Sequence, residues 1–182
     1  SYIVEARYYL DRKQSPLKSL KQAEAILKRA RTINPRYYEI YVLESENLLL
    51  AARWKLIRNQ QAEAIFKKVE ASLVKAEKLN PNDIHIHLTR ARLNWRTVEK
   101  NMAMKIPSKS HIRAGLASIQ KAMTINPNCA ETYILKGILL QLHSNQTANR
   151  EARLTSEKES EKAFLKGFQI NKNLKTLYAQ YF

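Results

Sequence analysis

Apolar side chains recur along this chain at intervals of three and four residues, in four stretches that end alike. The first runs Leu20, Ala23, Leu27, Ala30, Ile33, the second Leu73, Ala76, Leu79, the third Ile119, Ala122, Ile125, and the fourth Phe164, Gly167, Ile170. Such spacing lays one apolar stripe along each of four α-helices. Every stripe closes on an aliphatic residue and an asparagine: Ile33-Asn34-Pro35, Leu79-Asn80-Pro81, Ile125-Asn126-Pro127 and a degenerate Ile170-Asn171-Lys172. The first three lie 46 residues apart and the last follows after 45. Asparagine can take the left-handed conformation that closes a helix, and proline cannot continue one, so each Asn-Pro predicts a stop and a sharp turn. A second helix is expected beyond each turn. Asn128, with Glu131 three residues on, has the N-cap spacing, and Glu39 and Asp83 place negative charge where the next helix exposes its amides.

The helices after the turns also align with one another. Tyr41, His87, Tyr133 and Tyr178 share one register, and four residues beyond the first three come Ser45, Ala91 and Gly137. Small residues at a recurrent site let neighbouring backbones approach closely. Gly115, Gly137 and Gly167 are the only glycines and all fall inside helical registers. They read as packing glycines, which sets aside a phosphate-cradling loop, since that needs clustered glycines between a strand and a helix. Trp54 and Trp95 read as packing residues too.

Repeat boundaries follow. A partial unit covers 1–34, with Tyr2, Ala6 and Tyr9 on a leading helix and Ser15-Pro16 opening its partner. Full units cover 35–80, 81–126 and 127–171, and a capping helix covers 173–182. Ile106-Pro107-Ser108 and the polar run His143 to Asn149 are the expected loops inside hairpins, while Arg58 to Gln61 joins two helices with no strong breaker. All of this makes one repeat domain of residues 1–182.

Composition narrows the class. Three glycines and five prolines in 182 residues leave little material for hairpin turns between strands, so the chain is expected to be all-α. Hydrophobic residues at 45 % supply a core despite a net charge of +16, from 32 Lys and Arg against 16 Asp and Glu. No apolar run is long enough for a membrane span and no signal peptide is evident, so no membrane insertion is expected, and the absent initiator Met hints at a piece of a larger protein. Cys129, the single cysteine, reads as a small buried group in a reducing, cytoplasmic setting. His85 and His87, two apart, point to different sides of a helix, and the scattered histidines make a metal site improbable. No cofactor is called for.

The repeated unit resembles the tetratricopeptide repeat family. The resemblance rests on a first-helix pair, Tyr41 with Ser45, His87 with Ala91 and Tyr133 with Gly137, and on a second-helix trio. That trio is Ala23, Leu27, Ala30; Val69, Leu73, Ala76; Gly115, Ile119, Ala122; and Ser160, Phe164, Gly167. The family's usual period is about 34 residues, so the helices and loops here must be longer. The long period is similar in style to repeat arrays found C-terminal to the catalytic domain of some large bacterial serine/threonine protein kinases, although the kinase motifs themselves are absent from this sequence. The family implies a right-handed α-solenoid of antiparallel helix hairpins, about nine helices here, with first helices lining a concave groove.

The resemblance places ligand-facing residues on the first helices at Glu39, Val42, Glu46, His85, Thr89, Arg92, Arg96, Glu131, Ile134 and Ile138. Arg92 and Arg96, one turn apart, are arranged to grip a carboxylate or phosphate, or else to cover apolar surface with their stems. Two further rows are basic. Lys21, Lys67, Arg113 and Lys158 share one register, and Arg29, Lys75, Lys121 and Lys166 share another eight residues on. No acid occurs from Lys100 to Ala130 or after Glu161. Such a field favours acidic proteins, nucleic acid or anionic lipid, or serves solubility alone. No matched acid, base and nucleophile set emerges, and Glu157, Glu159 and Glu161 sit beside Lys158 and Lys162 on a solvated face, so an enzyme is not expected. The expected function is a protein or peptide-binding scaffold within a signalling protein. Nucleic-acid binding is the alternative, which acids facing the groove oppose.

Overall fold

The corners that join successive repeats show how the sequence is spent. In this computed structural model, which describes residues 1–178, the peptide N–H of each corner asparagine donates to the carbonyl four residues back at 2.9 Å: Asn34 to Ala30, Asn80 to Ala76, Asn126 to Ala122 and Asn171 to Gly167. Each asparagine is extended and not left-handed, with φ of −138°, −147°, −143° and −142°. This corrects the expected left-handed closure. At Asn34, Asn80 and Asn126 the following proline also disfavours the helical region, while Asn171, before Lys172, is extended without one. The asparagine then turns the chain with its side chain. Its Oδ1 accepts the amide two residues on, from Arg36 at 3.2 Å, Asn82 at 3.2 Å, Asn128 at 2.9 Å and Asn173 at 3.1 Å. This is the Asx turn, in which a short side chain stands in for a backbone acceptor. The left-handed residues sit at other places, Lys13, Asn59 and Lys105, where the hairpins reverse.

The helices are α1 (Tyr2–Asp11), α2 (Leu17–Ile33), α3 (Tyr38–Ile57), α4 (Glu63–Leu79), α5 (Ile84–Ala103), α6 (Lys109–Ile125), α7 (Ala130–Asn145), α8 (Arg150–Ile170) and α9 (Leu174–Leu177). The protein is all-α, with no strand among the described residues. The chain divides into two compact units, Ser1–Thr89 and Arg90–Phe182, whose boundary falls within α5. Both expected hairpin loops are present, the second confined to residues 146–149 because His143 to Asn145 remain helical. The join at residues 58–62, without a strong breaker, also forms a loop. Of the expected capping helix, α9 occupies Leu174–Leu177, and residues 179–182 lie outside the described residues.

In the first unit α3 packs along α4, and α1 rests on α2 and α3. Ile3, Ala6 and Leu10 of α1 meet Leu20 and Ala23 of α2 and Leu50 of α3, with Trp54 packed against them. In the second unit α7 lies along α8 and α6 packs on α7. The second-helix trio is buried at Ala23, Leu27, Val69, Leu73, Ala76, Gly115, Ile119, Ala122, Ser160, Phe164 and Gly167, while Ala30 is half-buried. The last stripe positions are not in the core: Ile33 is 76 % exposed and Leu79 42 %. Each step of three residues falls about 60° short of a turn, so two such steps carry Leu79 about 120° away from Leu73.

The glycines are where backbones close up. A Cβ on Gly137 would lie 2.9 Å from the Phe164 ring, one on Gly115 2.7 Å from Leu139 Cδ1, and one on Gly167 2.7 Å from Ile134 Cδ1 and 3.1 Å from the Ala130 carbonyl. Helix contact at Gly137 is close enough for Ser160 Oγ to donate to its carbonyl at 2.8 Å. At the matching place in the first unit Ser45 Oγ lies 3.4 Å from the Val69 carbonyl.

The first-helix register gains a chemical reason. Tyr41 Oη donates to the Pro35 carbonyl at 2.7 Å, Tyr133 Oη to that of Pro127 at 2.9 Å, and His87 Nε2 lies 3.2 Å from that of Pro81. The ring six residues beyond each proline therefore ties its helix back to the corner. Histidine serves in place of tyrosine because it too carries a ring with a hydrogen-bonding edge.

Candidate functional site

The ten groove candidates separate into three groups. Val42, Thr89, Ile134 and Ile138 are buried, the last three completely. They do not line an open groove. The reason lies in α3 and α7, which bury residues on several sides: Ile40, Tyr41 and Val42 in succession, then Ile134, Leu135, Gly137, Ile138, Leu139 and Leu140. A helix that is apolar on most of its circumference is held inside the fold.

Arg92, Arg96 and Glu131 are engaged with the chain itself. Arg92 Nε and Nη2 donate to Glu131 Oε1 at 3.1 and 2.6 Å, joining α5 to α7. Arg96 Nη1 donates to Glu99 Oε2 at 2.6 Å, and its guanidinium lies 3.7 Å over the ring of Trp95. The two arginines thus do not form a joint grip on an outside anion: each already has its carboxylate. Arg96 covers a buried tryptophan, as a cation over an aromatic face does.

Glu39 and His85 are exposed, and Glu46 is half-buried. Around Glu39 the structure assembles Tyr37 and Tyr38, which sequence reasoning missed, together with Asp83. Tyr37 Oη donates to Glu39 Oε2 at 2.5 Å, and Tyr38 Oη donates to Asp83 Oδ2 at 3.1 Å, with Glu39 Oε1 at 3.4 Å. Asp83 Oδ1 in turn accepts the amides of His85 at 2.8 Å and Ile86 at 3.3 Å, capping α5 as its charge suggested. Asn128 does not cap α7. That position belongs to Cys129, half-buried, with no side-chain hydrogen bond to the helix, because α7 begins at Ala130, one residue later than the Asn128 cap would need. The run Tyr37-Tyr38-Glu39 at a helix start was the available signal for the cluster. Both hydroxyls are held protonated beyond the usual tyrosine range, Tyr37 chiefly by its hydrogen bond to Glu39 and Tyr38 chiefly by burial, then by its bond to Asp83.

All eight residues of the basic rows are exposed. Lys21, Lys67, Arg113 and Lys158 each stand twelve residues before the end of α2, α4, α6 and α8, and Arg29, Lys75, Lys121 and Lys166 four before it. Lys75 Nζ lies 5.8 Å from the centre of the Tyr41 ring. His85 is exposed and His87 buried, as their spacing requires. Among the described residues no three His, Cys, Asp or Glu side chains are grouped to hold a metal ion, and no helix is long and apolar enough to cross a membrane. Compared with family models, with curated proteins and with solved structures, the chain finds no match in any of the three.

Proposed function

We propose that this chain is a non-catalytic protein-interaction module of tetratricopeptide-like repeats, an arm of a larger signalling protein such as a serine/threonine kinase, that binds a peptide or partner domain. The observation that carries the reading is the corner, built alike at Pro35, Pro81 and Pro127, each with a ring six residues on returning to the proline carbonyl. Copies of one hairpin are the architecture of extended binding surfaces, and the step from that architecture to partner binding is one of analogy. On the first unit the exposed first-helix edge is Glu39 and His85 with Tyr37, Tyr38 and Asp83 around them. Carboxylates and phenol rings together suit a segment bearing Lys or Arg beside apolar groups. Selecting from a displayed peptide library tests this. Enrichment of basic peptides whose affinity falls about tenfold or more with Glu39→Lys supports it; peptides indifferent to Glu39→Lys and to His85→Ala count against it.

Nucleic-acid binding is the second reading, favoured by the exposure of all eight row cations. Filter binding of single-stranded RNA at two salt concentrations separates the readings, since tight binding that survives physiological salt supports the second.

A further inference from the structure

The tip of the α5–α6 hairpin displays two large apolar side chains from the loop itself, where the other tips have at most one, Leu17 or Ile57, on the bordering helix end. Residues 104–108 read Met-Lys-Ile-Pro-Ser, and Met104 is 59 % and Ile106 43 % exposed. The tips at residues 12–16, 58–62 and 146–149 carry no large exposed apolar side chain. Lys105 stands between the two apolar residues, left-handed at φ 58°, and Lys109 and Arg113 follow on α6, all exposed. The stretch from Lys100 to Ala130 contains no acid, and Glu99, just before it, is paired with Arg96.

This tip is also held in shape. The amide of Ile106 donates to the Asn101 carbonyl at 2.8 Å, that of Lys105 to Met102 at 3.0 Å, and that of Ser108 to Gln146 Oε1 at 3.0 Å. Ser108 itself is fully buried. Met104 and Ile106 are therefore displayed from an ordered turn, so a partner need not supply the ordering free energy that a loose loop would demand.

We propose that the α5–α6 tip is a peripheral docking element for an anionic lipid surface, with Met104 and Ile106 entering the headgroup boundary and Lys105, Lys109 and Arg113 meeting lipid phosphates and carboxylates. An exposed apolar pair with exposed cations between and just after it in the chain matches that boundary, apolar below and negative above. It matches nucleic acid less well, because bases are held by flat aromatic or guanidinium faces, and the tip offers an aliphatic chain and a thioether. The contact is interfacial and no helix spans. With two apolar side chains and three cations it is weak and reversible.

Co-sedimentation of the whole chain with vesicles tests the proposal, one set of phosphatidylcholine alone and one with about a third phosphatidylserine. The chain is expected to pellet with the mixed vesicles and not with the neutral ones. Met104→Ser with Ile106→Ser should lower the partition coefficient about tenfold or more, and Lys105→Glu with Lys109→Glu should lower it at least about tenfold at low salt. Both pairs are exposed, so melting should be unchanged. No pelleting with mixed vesicles at low salt overturns the proposal. So does wild-type partitioning of the serine pair, which would assign the binding to charge alone. Single-stranded RNA retained by the wild type and lost by the glutamate pair, with vesicles ignored, makes nucleic acid the partner and equally ends the lipid reading.

Discussion

The phenolic hydroxyl of Tyr133 lies 2.9 Å from the carbonyl oxygen of Pro127 and donates to it, pinning the second turn of α7 to the corner that precedes it. Tyr41 makes the same bond to Pro35 at 2.7 Å, with its ring buried. A phenylalanine keeps the ring and removes the donor. Tyr41→Phe should therefore cost about 1 kcal/mol, and Tyr133→Phe somewhat less because its site is wetter. Denaturant melts of the two variants check this, and equal stability of both with the wild type would deny the tie an energetic role.

Gly137→Leu should lower the melting temperature sharply. Even a methyl group there meets the Phe164 ring at 2.9 Å, and a buried ring flanked by Phe168, 6.0 Å away in a stacked arrangement, has little room to retreat. Overpacking of this kind costs about 1–3 kcal/mol and more for a branched side chain. Lys67→Glu, on the exposed face of α4, should leave the midpoint nearly unchanged. Thermal unfolding followed by circular dichroism compares the two directly.

Thr132 is fully buried in α7 and its hydroxyl has no hydrogen-bond partner among the described residues. The positions one and two repeats earlier, Ile86 and Ile40, are aliphatic and buried. Thr132→Val keeps the shape and discards the unpaired hydroxyl, so it should stabilise the fold by about 1 kcal/mol. A shift of the urea midpoint upward, at unchanged slope, is the expected result.

The Tyr37 and Tyr38 hydroxyls have pKa values raised above the ordinary 10.0. A group held protonated in the folded state stabilises it in full below its unfolded pKa, and that contribution disappears as pH rises through the folded value. Stability should thus fall faster above pH 10 in the wild type than in Tyr37→Phe with Tyr38→Phe. Melting curves taken from neutral pH to beyond that value, for both proteins, supply the measurement.

Helix existence and the corner positions were legible because periodicity and the Asn-Pro pair are local signals. Four asparagines and three prolines marked the ends of α2, α4, α6 and α8 to the residue. The conformation of those asparagines was not legible, because a left-handed closure and an Asx turn both suit an asparagine at a helix end, and only the side-chain bond to the amide two residues on tells them apart. The packing glycines were readable from register. The groove was not, since a stripe argument assumes one buried face, and α3 and α7 are covered on several. Nor did the sequence reveal that Arg92 would find Glu131, 39 residues away, a pairing that exists only in the folded chain.

The fourth corner turns without a proline. Asn171 has Lys172 after it, yet it takes the same backbone angles as the other three and receives the Asn173 amide at 3.1 Å. The asparagine amide group, and not the imino ring, is thus the indispensable letter of this motif. Further copies of the unit elsewhere in a polypeptide would be overlooked by a search keyed to proline, and recovered by one that asks for an aliphatic residue and an asparagine at the same interval.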